Sequence, residues 1–341
     1  MKNFKNMTDF AAALGLSRST VSYVLNGKSE ERNIKKETAE RVLEFARQNN
    51  FMPSFFGQAI KGLISTDVAI MLPAEPFEHH KQVFFELIAE FQRLKLRYIV
   101  LPLLEQGENL ESLERIRSFK VRNVIIISAA TMWEPEQFDW WRTIVCQHGE
   151  FNFFFYDFRY ELAPGRETLP DNFYTTGFNR FTAYCRVVRF VAECGYRSLI
   201  SYRFLGLPEA ETVAAECGLQ LIRPPSRPPN ADLVCYGRLI AGQLLERGRP
   251  EQPMAVFVSN DIATASAIEC LGENGFGVPE TYAFISWDSL FISRFFARKL
   301  TSLEVPRAKM LDNTIRFVRG EAIPRHFEVE TEIKVGDTLH G

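Results

Sequence analysis

The sequence predicts an α/β chain in which a small helical head precedes a larger body of parallel sheet covered by helices on both faces. Three observations carry that prediction. Two short helix-forming runs flank a glycine between Asp9 and Asn26, apolar strand-like runs alternate with helical stretches beyond Ser65, and positive charge gathers at the N-terminal end. Residues 1–62 hold ten Lys and Arg against six Asp and Glu, leaving thirty against thirty-six in the remainder, so a head at +4 precedes a body at −6. A basic module on an acidic body suits a head that touches phosphate and a body that does not. With 341 residues, 46% of them hydrophobic and 30 of them Phe, the chain is too long for one small module and too apolar for wholesale disorder.

In the head, the run DFAAAL from Asp9 to Leu14 predicts a short helix, and Gly15 supplies the left-handed residue that lets the chain turn. Ser17 can then cap a second helix, RSTVSYVLN, whose Val21, Val24 and Leu25 share one face while Arg18, Ser19, Ser22 and Tyr23 point elsewhere. Two short helices across a glycine turn form the helix-turn-helix pattern. A polar loop leads to a third helix over Lys36 to Asn49, with Val42, Leu43, Phe45 and Ala46 as its apolar stripe. Pro53 opens a further short helix that Gly57 and Gly62 limit to about two turns.

The body reads as strands at DVAIMLP, RYIVLPL, NVIIISA, SLISY, LQLI, MAVFVS and AFISW, separated by helices over 82–95, 110–118, 176–194, 208–217, 238–247 and 261–274. This alternation requires a parallel sheet buried on both faces. The Pro-rich stretch 223–230 interrupts the series as a surface loop, and no repeat of fixed period is present. The expected organisation is a head over 1–50, a hinge over 51–63 and a body over 64–341. The body divides into one subdomain of about 64–160 with 288–306 and another of about 161–287 with 307–341.

Several function classes find no support. The six cysteines lack CxxC spacing, which points to buried thiols in a reducing compartment and not to a zinc site or a disulfide framework. His79 and His80 are adjacent, on a stretch that reads as loop, without a spaced third ligand, so surface histidines and no metal are expected. The Gly-x-Ser-x-Gly elbow, the phosphate-cradling glycine loop and the HExxH pattern are all missing, so no enzyme and no cofactor is expected. No run approaches the 18 to 20 apolar residues of a membrane span, and the N-terminus lacks the apolar core of a signal peptide. The chain is expected in the cytoplasm, associated with the nucleoid and away from membranes.

Thr8, Asp9, Phe10 and Ala11, the run GLSRSTVSYVLNG from Gly15 to Gly27, Thr38 through Val42, and Pro53 occur in an order that resembles the lactose-repressor (LacI) family of bacterial transcription regulators. The body is similar to that family at GYRSLISY, at VFVSNDIATASAIECLGENGFGVPE, and at FISWDS with KLTSLEVP. The resemblance implies a helix-turn-helix head, a hinge helix and a periplasmic-binding-protein-like body of two Rossmann-like subdomains crossed by three strands of chain. Departures are visible too. The loop from Asn26 to Thr38 is long, the hinge carries Ser54, Gly57 and Ile60 where relatives have Asn, Ala and Leu, and the first pocket loop reads PAEPFEHH. The stretch after Tyr202 is short and offers no match for the ligand-contacting arginine of sugar-sensing relatives.

From the resemblance, Arg18 is expected to read guanine through paired hydrogen bonds worth about 1 to 3 kcal/mol of discrimination, beside Ser19, Ser22 and Tyr23 on the same surface. The alternative for this group is a solvated helix face. Ser17, Thr20 and Asn26 suit phosphate contacts, and Ser17 and Thr20 also suit capping. Met7, Thr8, Ser54 and Gln58 complete the expected DNA-contacting set, and Ile60 is the apolar wedge for the minor groove or else a packing residue of the hinge. Gly57 weakens the hinge helix by about 0.5 to 1 kcal/mol, so it is expected to order only on DNA between paired subunits.

In the body, Asp261 and Asp288 each follow an apolar strand and match family positions that face the cleft; Asp261 can instead cap the helix it precedes. Phe77 and Trp287 offer an apolar wall or ordinary core packing. The chain is thus expected to be a repressor, a homodimer on a near-palindromic double-stranded operator, responding to a sugar or related metabolite. A constitutive DNA-binding dimer, its body a protein-interaction platform with a lost effector site, is the alternative. An enzyme of the sugar-handling type with an accessory head stands behind both.

Overall fold

The chain of the computed structural model is described over residues 4, 6–25, 28–49, 51, 67–74, 76, 78–104, 106–127, 135–160, 169–202, 208–225 and 232–339. It divides into two units, Met1–Thr66 and Asp67–Gly341.

Among the described residues, the first unit holds three helices around a small aromatic core. Helix α1 runs Met7–Ala13, starting earlier than the apolar run suggests because Asn6 caps it, accepting from the Thr8 and Asp9 amides at 2.9 Å. It ends where Gly15 takes φ +65° and the Leu16 amide returns to the Ala11 carbonyl at 3.0 Å. Helix α2, Arg18–Leu25, and helix α3, Lys36–Gln48, bury Val21, Val24, Ala39, Val42 and Ala46 against Phe10. Phe10 stacks on Phe51 at 4.0 Å and meets Phe4 and Phe45 edge-on or tilted. Leu43, expected in that stripe, is 47% exposed; the buried face of α3 runs through Ala39, Val42 and Ala46.

The second unit contains two six-stranded sheets. The first has the order β11-β5-β4-β3-β1-β2, from strands β1 Val68–Pro73, β2 Tyr98–Leu103, β3 Asn123–Ile127, β4 Asn152–Arg159, β5 Phe173–Phe178 and β11 His326–Glu328. The second has the order β12-β10-β9-β8-β6-β7, from β6 Ser198–Ser201, β7 Gln220–Ile222, β8 Met254–Phe257, β9 Tyr282–Asp288, β10 Thr301–Glu304 and β12 Glu332–Lys334. All pairings are parallel except β10 with β12.

Helices cover both faces of each sheet, so successive strand residues are apolar on either side. On the first sheet, Val68 and Ile70 face helices α4, Glu78–Arg93, and α11, Arg307–Val318, while Ala69 and Met71 face α5, Gln106–Ser118, and α6, Pro135–Gln147. On the second, Leu199 and Phe257 face α7, Arg180–Glu193, and α8, Pro208–Glu216, while Ile200 and Val256 face α9, Leu233–Arg247, and α10, Asp261–Glu273. One continuous apolar core joins the inner helices of both sheets.

The expected subdomain limits need correction. Strand β5, at 173–178, belongs to the first sheet, and β10, at 301–304, pairs with β9 in the second. The last segment is shared, β11 returning to the first sheet and β12 to the second. The chain therefore crosses between halves after β5, after β10 and after β11. Helix α6 and strand β4 were not anticipated, and the helix expected over 176–194 opens with β5 and begins only after the Asn179 cap. Of the cysteines, only Cys185 is buried; Cys146 and Cys235 are exposed, against the expectation of six buried thiols.

Candidate DNA interface and effector cleft

The DNA-reading surface of the head is built on the first turn of α2. Ser17 Oγ accepts from the Thr20 amide at 3.0 Å and lies 2.8 Å from both Thr20 Oγ1 and Ser19 Oγ, which closes the helix start. Capping thus occupies Ser17 and Thr20 locally, and leaves Arg18 and Ser19 exposed on that turn. Ser22 and Tyr23 are half-buried, with the Arg32 guanidinium 4.9 Å above the Tyr23 ring. Arg32, from the long loop after α2, adds a positive charge that the pattern argument did not single out. Thr8 is exposed, whereas Met7 packs on the head core. Asn26, Ser54, Gln58 and Ile60 lie outside the described residues, as does the hinge that Gly57 was expected to weaken.

The body brings its polar chemistry to the C-terminal ends of the strands, where sheet order reverses beside β1 and β6. The first half contributes Asp157, at a bulge in β4 where the register shifts between Tyr156 and Phe158 and Asp157 takes φ +63°. Opposite the bulge, Gly177 has no room for a methyl group, which would collide with the Phe158 backbone. Asp157 is fully buried, and three side chains converge on its Oδ2: Arg180 Nη2 at 2.7 Å, His80 Nε2 at 3.0 Å and His79 Nε2 at 3.1 Å. The Arg180 guanidinium also lies 4.8 Å above the Phe178 ring.

Burial alone raises the Asp157 carboxyl, but Arg180 and the hydrogen bonds from His79 and His80 outweigh it and hold it well below the usual carboxylate range. Burial, then the adjacent His80, pushes His79 down to about 3 against the pull of Asp157, so His79 is neutral near pH 7. The expectation of surface histidines is therefore overturned. Helix α4 begins at Glu78, not at Gln82, and its first turn turns His79 and His80 inward to a carboxylate 77 residues further along the chain.

The second half contributes Asp288, at the end of β9, with φ +106°. Asn260 Nδ2 donates to its Oδ2 at 2.8 Å, and Arg307 fixes the local backbone by donating to the Asp288 and Ser289 carbonyls at 2.7 and 2.6 Å. His79 Nδ1 stands 3.8 Å from Asp288 Oδ1, so this one ring faces a carboxylate of each half.

The other expected cleft residues are placed differently. Asp261 is fully buried: Ser286 and Ser302 donate to Oδ1 at 2.6 and 2.9 Å, and the Leu290 amide donates to Oδ2 at 2.6 Å. Burial raises its pKa, with those donors acting in the other direction. Asn260, not Asp261, caps α10, accepting from the Ile262 amide at 2.8 Å. Asp261 braces α10 to β9 and β10 and leaves no exposed oxygen for a ligand. Trp287 is 2% exposed, 5.9 Å from Phe178 of the first half and 5.9 Å from Phe257 of the second, so it packs between the halves and is not an open wall. Phe77 lies outside the described residues.

Comparison with known proteins agrees with both units. Residues 6–54 match the lacI family of bacterial regulatory proteins, and residues 171–339 match the periplasmic binding protein-like domain. The HTH-type transcriptional repressor PurR of Mannheimia succiniciproducens is 22% identical over 322 residues, covering 91% of this chain and 90% of that protein. Among solved structures, the lac repressor dimer bound to operator and the anti-inducer ONPF superposes with a TM-score of 0.74 at 16% identity, covering 99% of this chain and 100% of that one. CcpA from Weissella paramesenteroides with bound glucose gives 0.58 at 12% identity over 80% and 98% of the two chains. Among the described residues no helix is long and apolar enough to cross a membrane. A lacI-family match over the head and a periplasmic-binding-protein-like match over the body make this chain similar to the LacI family of regulators along most of its length, on the fold that the lac repressor also has.

Proposed function

We propose that this chain is a sequence-specific transcriptional repressor whose affinity for operator DNA is set by a small molecule held in the cleft of its body. The observation that carries the reading is the Ser17-capped first turn of α2, which presents Arg18 and Ser19 to solvent on a basic head. Arg18 reads guanine in the major groove, Ser19, Ser22 and Tyr23 flank it, and Ser17, Thr20 and Asn26 fix the register on phosphate. Thr8, Ser54 and Gln58 extend the contact, with Met7 supporting them from the head core, and Ile60 enters the minor groove.

In the body, Asp288 takes a polar group of the effector, a sugar or related metabolite; glucose in the CcpA structure is a precedent for such a ligand on this fold. Effector binding favours one relation of the two halves over another and so changes operator affinity by population shift. The exposed Phe85, Phe291, Ile292 and Phe295 give the body apolar surface for a second copy, and a homodimer reads a near-palindromic site with two heads. The chain acts in the cytoplasm on the nucleoid and catalyses no reaction.

Selection of genomic fragments on the purified full-length protein, with competitor DNA at near-physiological salt, tests the DNA-reading half of this proposal. One near-palindromic motif is the expected outcome, with Arg18→Ala losing about 1 to 3 kcal/mol of discrimination at one base pair per half-site. Retention without a motif that disappears as salt rises would reduce the head to generic phosphate binding.

A further inference from the structure

We propose that His79, His80 and Asp157 form a binding site for a divalent transition-metal ion of the zinc type at the rim of the first sheet. The site is distinct from the polar contact assigned to Asp288 and does not depend on the regulatory reading. Its ligand atoms come from two neighbouring positions in the first turn of α4 and from the bulge of β4, and all lie within 4.8 Å of one another. His79 Nε2 and His80 Nε2 stand 3.1 and 3.0 Å from Asp157 Oδ2, close to the donor separation of about 3.3 Å that bonds of about 2.0 to 2.1 Å impose around tetrahedral zinc.

Three further features favour an ion there. Two imidazoles and a carboxylate form a donor set suited to zinc and to the neighbouring divalent metals, with a remaining position for a further ligand. Asp157 Oδ1 is buried and has no hydrogen-bond partner among the described residues, so the carboxylate keeps acceptor capacity. The other ring nitrogen of His79 stands 3.8 Å from the Asp288 carboxylate, on the side from which an outer carboxylate supports a metal-bound histidine. The left-handed backbone of Asp157, at φ +63°, aims the carboxylate at the two rings, and such backbone outliers gather at functional sites.

Arg180 opposes the ion, because its guanidinium lies 2.7 Å from the same Asp157 oxygen. That opposition supplies a signature that a plain hydrogen-bonded brace cannot give: removing the arginine charge must tighten metal binding. The test uses the tag-free, full-length protein after chelation and dialysis, titrated with Co2+ followed by its visible d–d absorption and with Zn2+ followed calorimetrically. One equivalent per chain is expected, without the thiolate charge-transfer band that exposed Cys146 and Cys235 would produce, and unchanged in a Cys146→Ser, Cys235→Ser variant. His79 keeps some exposure, so His79→Gln is the variant best placed to fold, and it is expected to weaken binding by about tenfold to a hundredfold. Arg180→Gln is expected to tighten it by about tenfold, which corresponds to about 1.4 kcal/mol. Absence of a cobalt spectrum in the folded protein, or binding indifferent to His79→Gln, would overturn the site. Both readouts are made without DNA, so their failure leaves the regulatory reading standing, and a failure of operator selection leaves the ion site standing.

Discussion

The two halves of the body follow one plan and use it differently. β4 of the first sheet and β9 of the second hold equivalent places in the strand order, and each ends near an aspartate with a left-handed backbone, Asp157 and Asp288. The Asp157 carboxylate of the first half gathers side chains from both sides of the first crossover, His79 and His80 from α4 and Arg180 from the start of α7, all on one oxygen. In the second half the neutral Asn260 donates to the Asp288 carboxylate, while Arg307 donates to the neighbouring backbone carbonyls. The first rim is thus an ionic cluster around one buried carboxylate, whereas the second carries a carboxylate 3.8 Å from His79 of the first. The difference separates a carboxylate fixed by a buried arginine from one that can respond to what enters between the halves.

Breaking the first rim should have the largest effect. Asp157→Asn leaves Arg180 buried without its counter-charge, so a loss of about 3 to 5 kcal/mol is expected in denaturant unfolding of the body. The pH dependence comes next. Folded His79 gains its proton only near pH 3, against 6.5 for the free side chain, so between those limits the unfolded chain binds more protons. The stability contribution is complete above about pH 6.5 and is lost as pH falls toward 3, at about 1.4 kcal/mol per pH unit. Asp157 acts in the same direction at lower pH: its depressed pKa contributes stability above 3.8 that is lost as pH drops below that value. With a chelator present, His79→Gln should flatten the profile between 6.5 and 3 relative to the parent, as read by urea midpoints at several pH values.

Smaller effects sharpen the contrast. Gly177→Ala forces a methyl group against the Phe158 backbone at the bulge and should lower stability by about 1 to 3 kcal/mol. Asp288→Asn replaces one acceptor by another beside Asn260 and should cost only about 0.5 to 1.5 kcal/mol in thermal unfolding, far less than Asp157→Asn. Equal losses for the two aspartates would erase the distinction between the rims.

How much of this was readable in the chain depended on the range of the interactions. The turn between α1 and α2 is local chemistry, Gly15 in a left-handed conformation and Ser17 accepting from Thr20, so the pattern of residues 9–26 was sufficient to place it. The sheets were legible from alternating strand and helix runs. β4 was not, because NFFFYDFR is apolar at nearly every position and follows a helix carrying Trp140 and Trp141 that itself escaped notice. The acid cluster was hidden for a different reason. Pro73 and Pro76 make the approach to α4 read as loop as far as Gln82, and only Glu78 in the first turn signals the earlier start that carries His79 and His80 inward. Their partners Asp157 and Arg180 lie on other elements, and no spacing rule joins them. Asp261 shows the converse: it matches a cleft position by sequence, yet three internal donors consume it.

The most direct test of the account is operator affinity of the full-length protein, and of its Asp288→Asn variant, measured across a panel of metabolites. One compound is expected to shift the operator affinity of the parent and to raise its unfolding free energy, by about 2.7 kcal/mol at a hundred times its dissociation constant, while leaving Asp288→Asn unmoved in both. Specific operator binding that no compound alters, with no compound stabilising the body, would contradict a responsive cleft and leave a constitutive DNA-binding dimer.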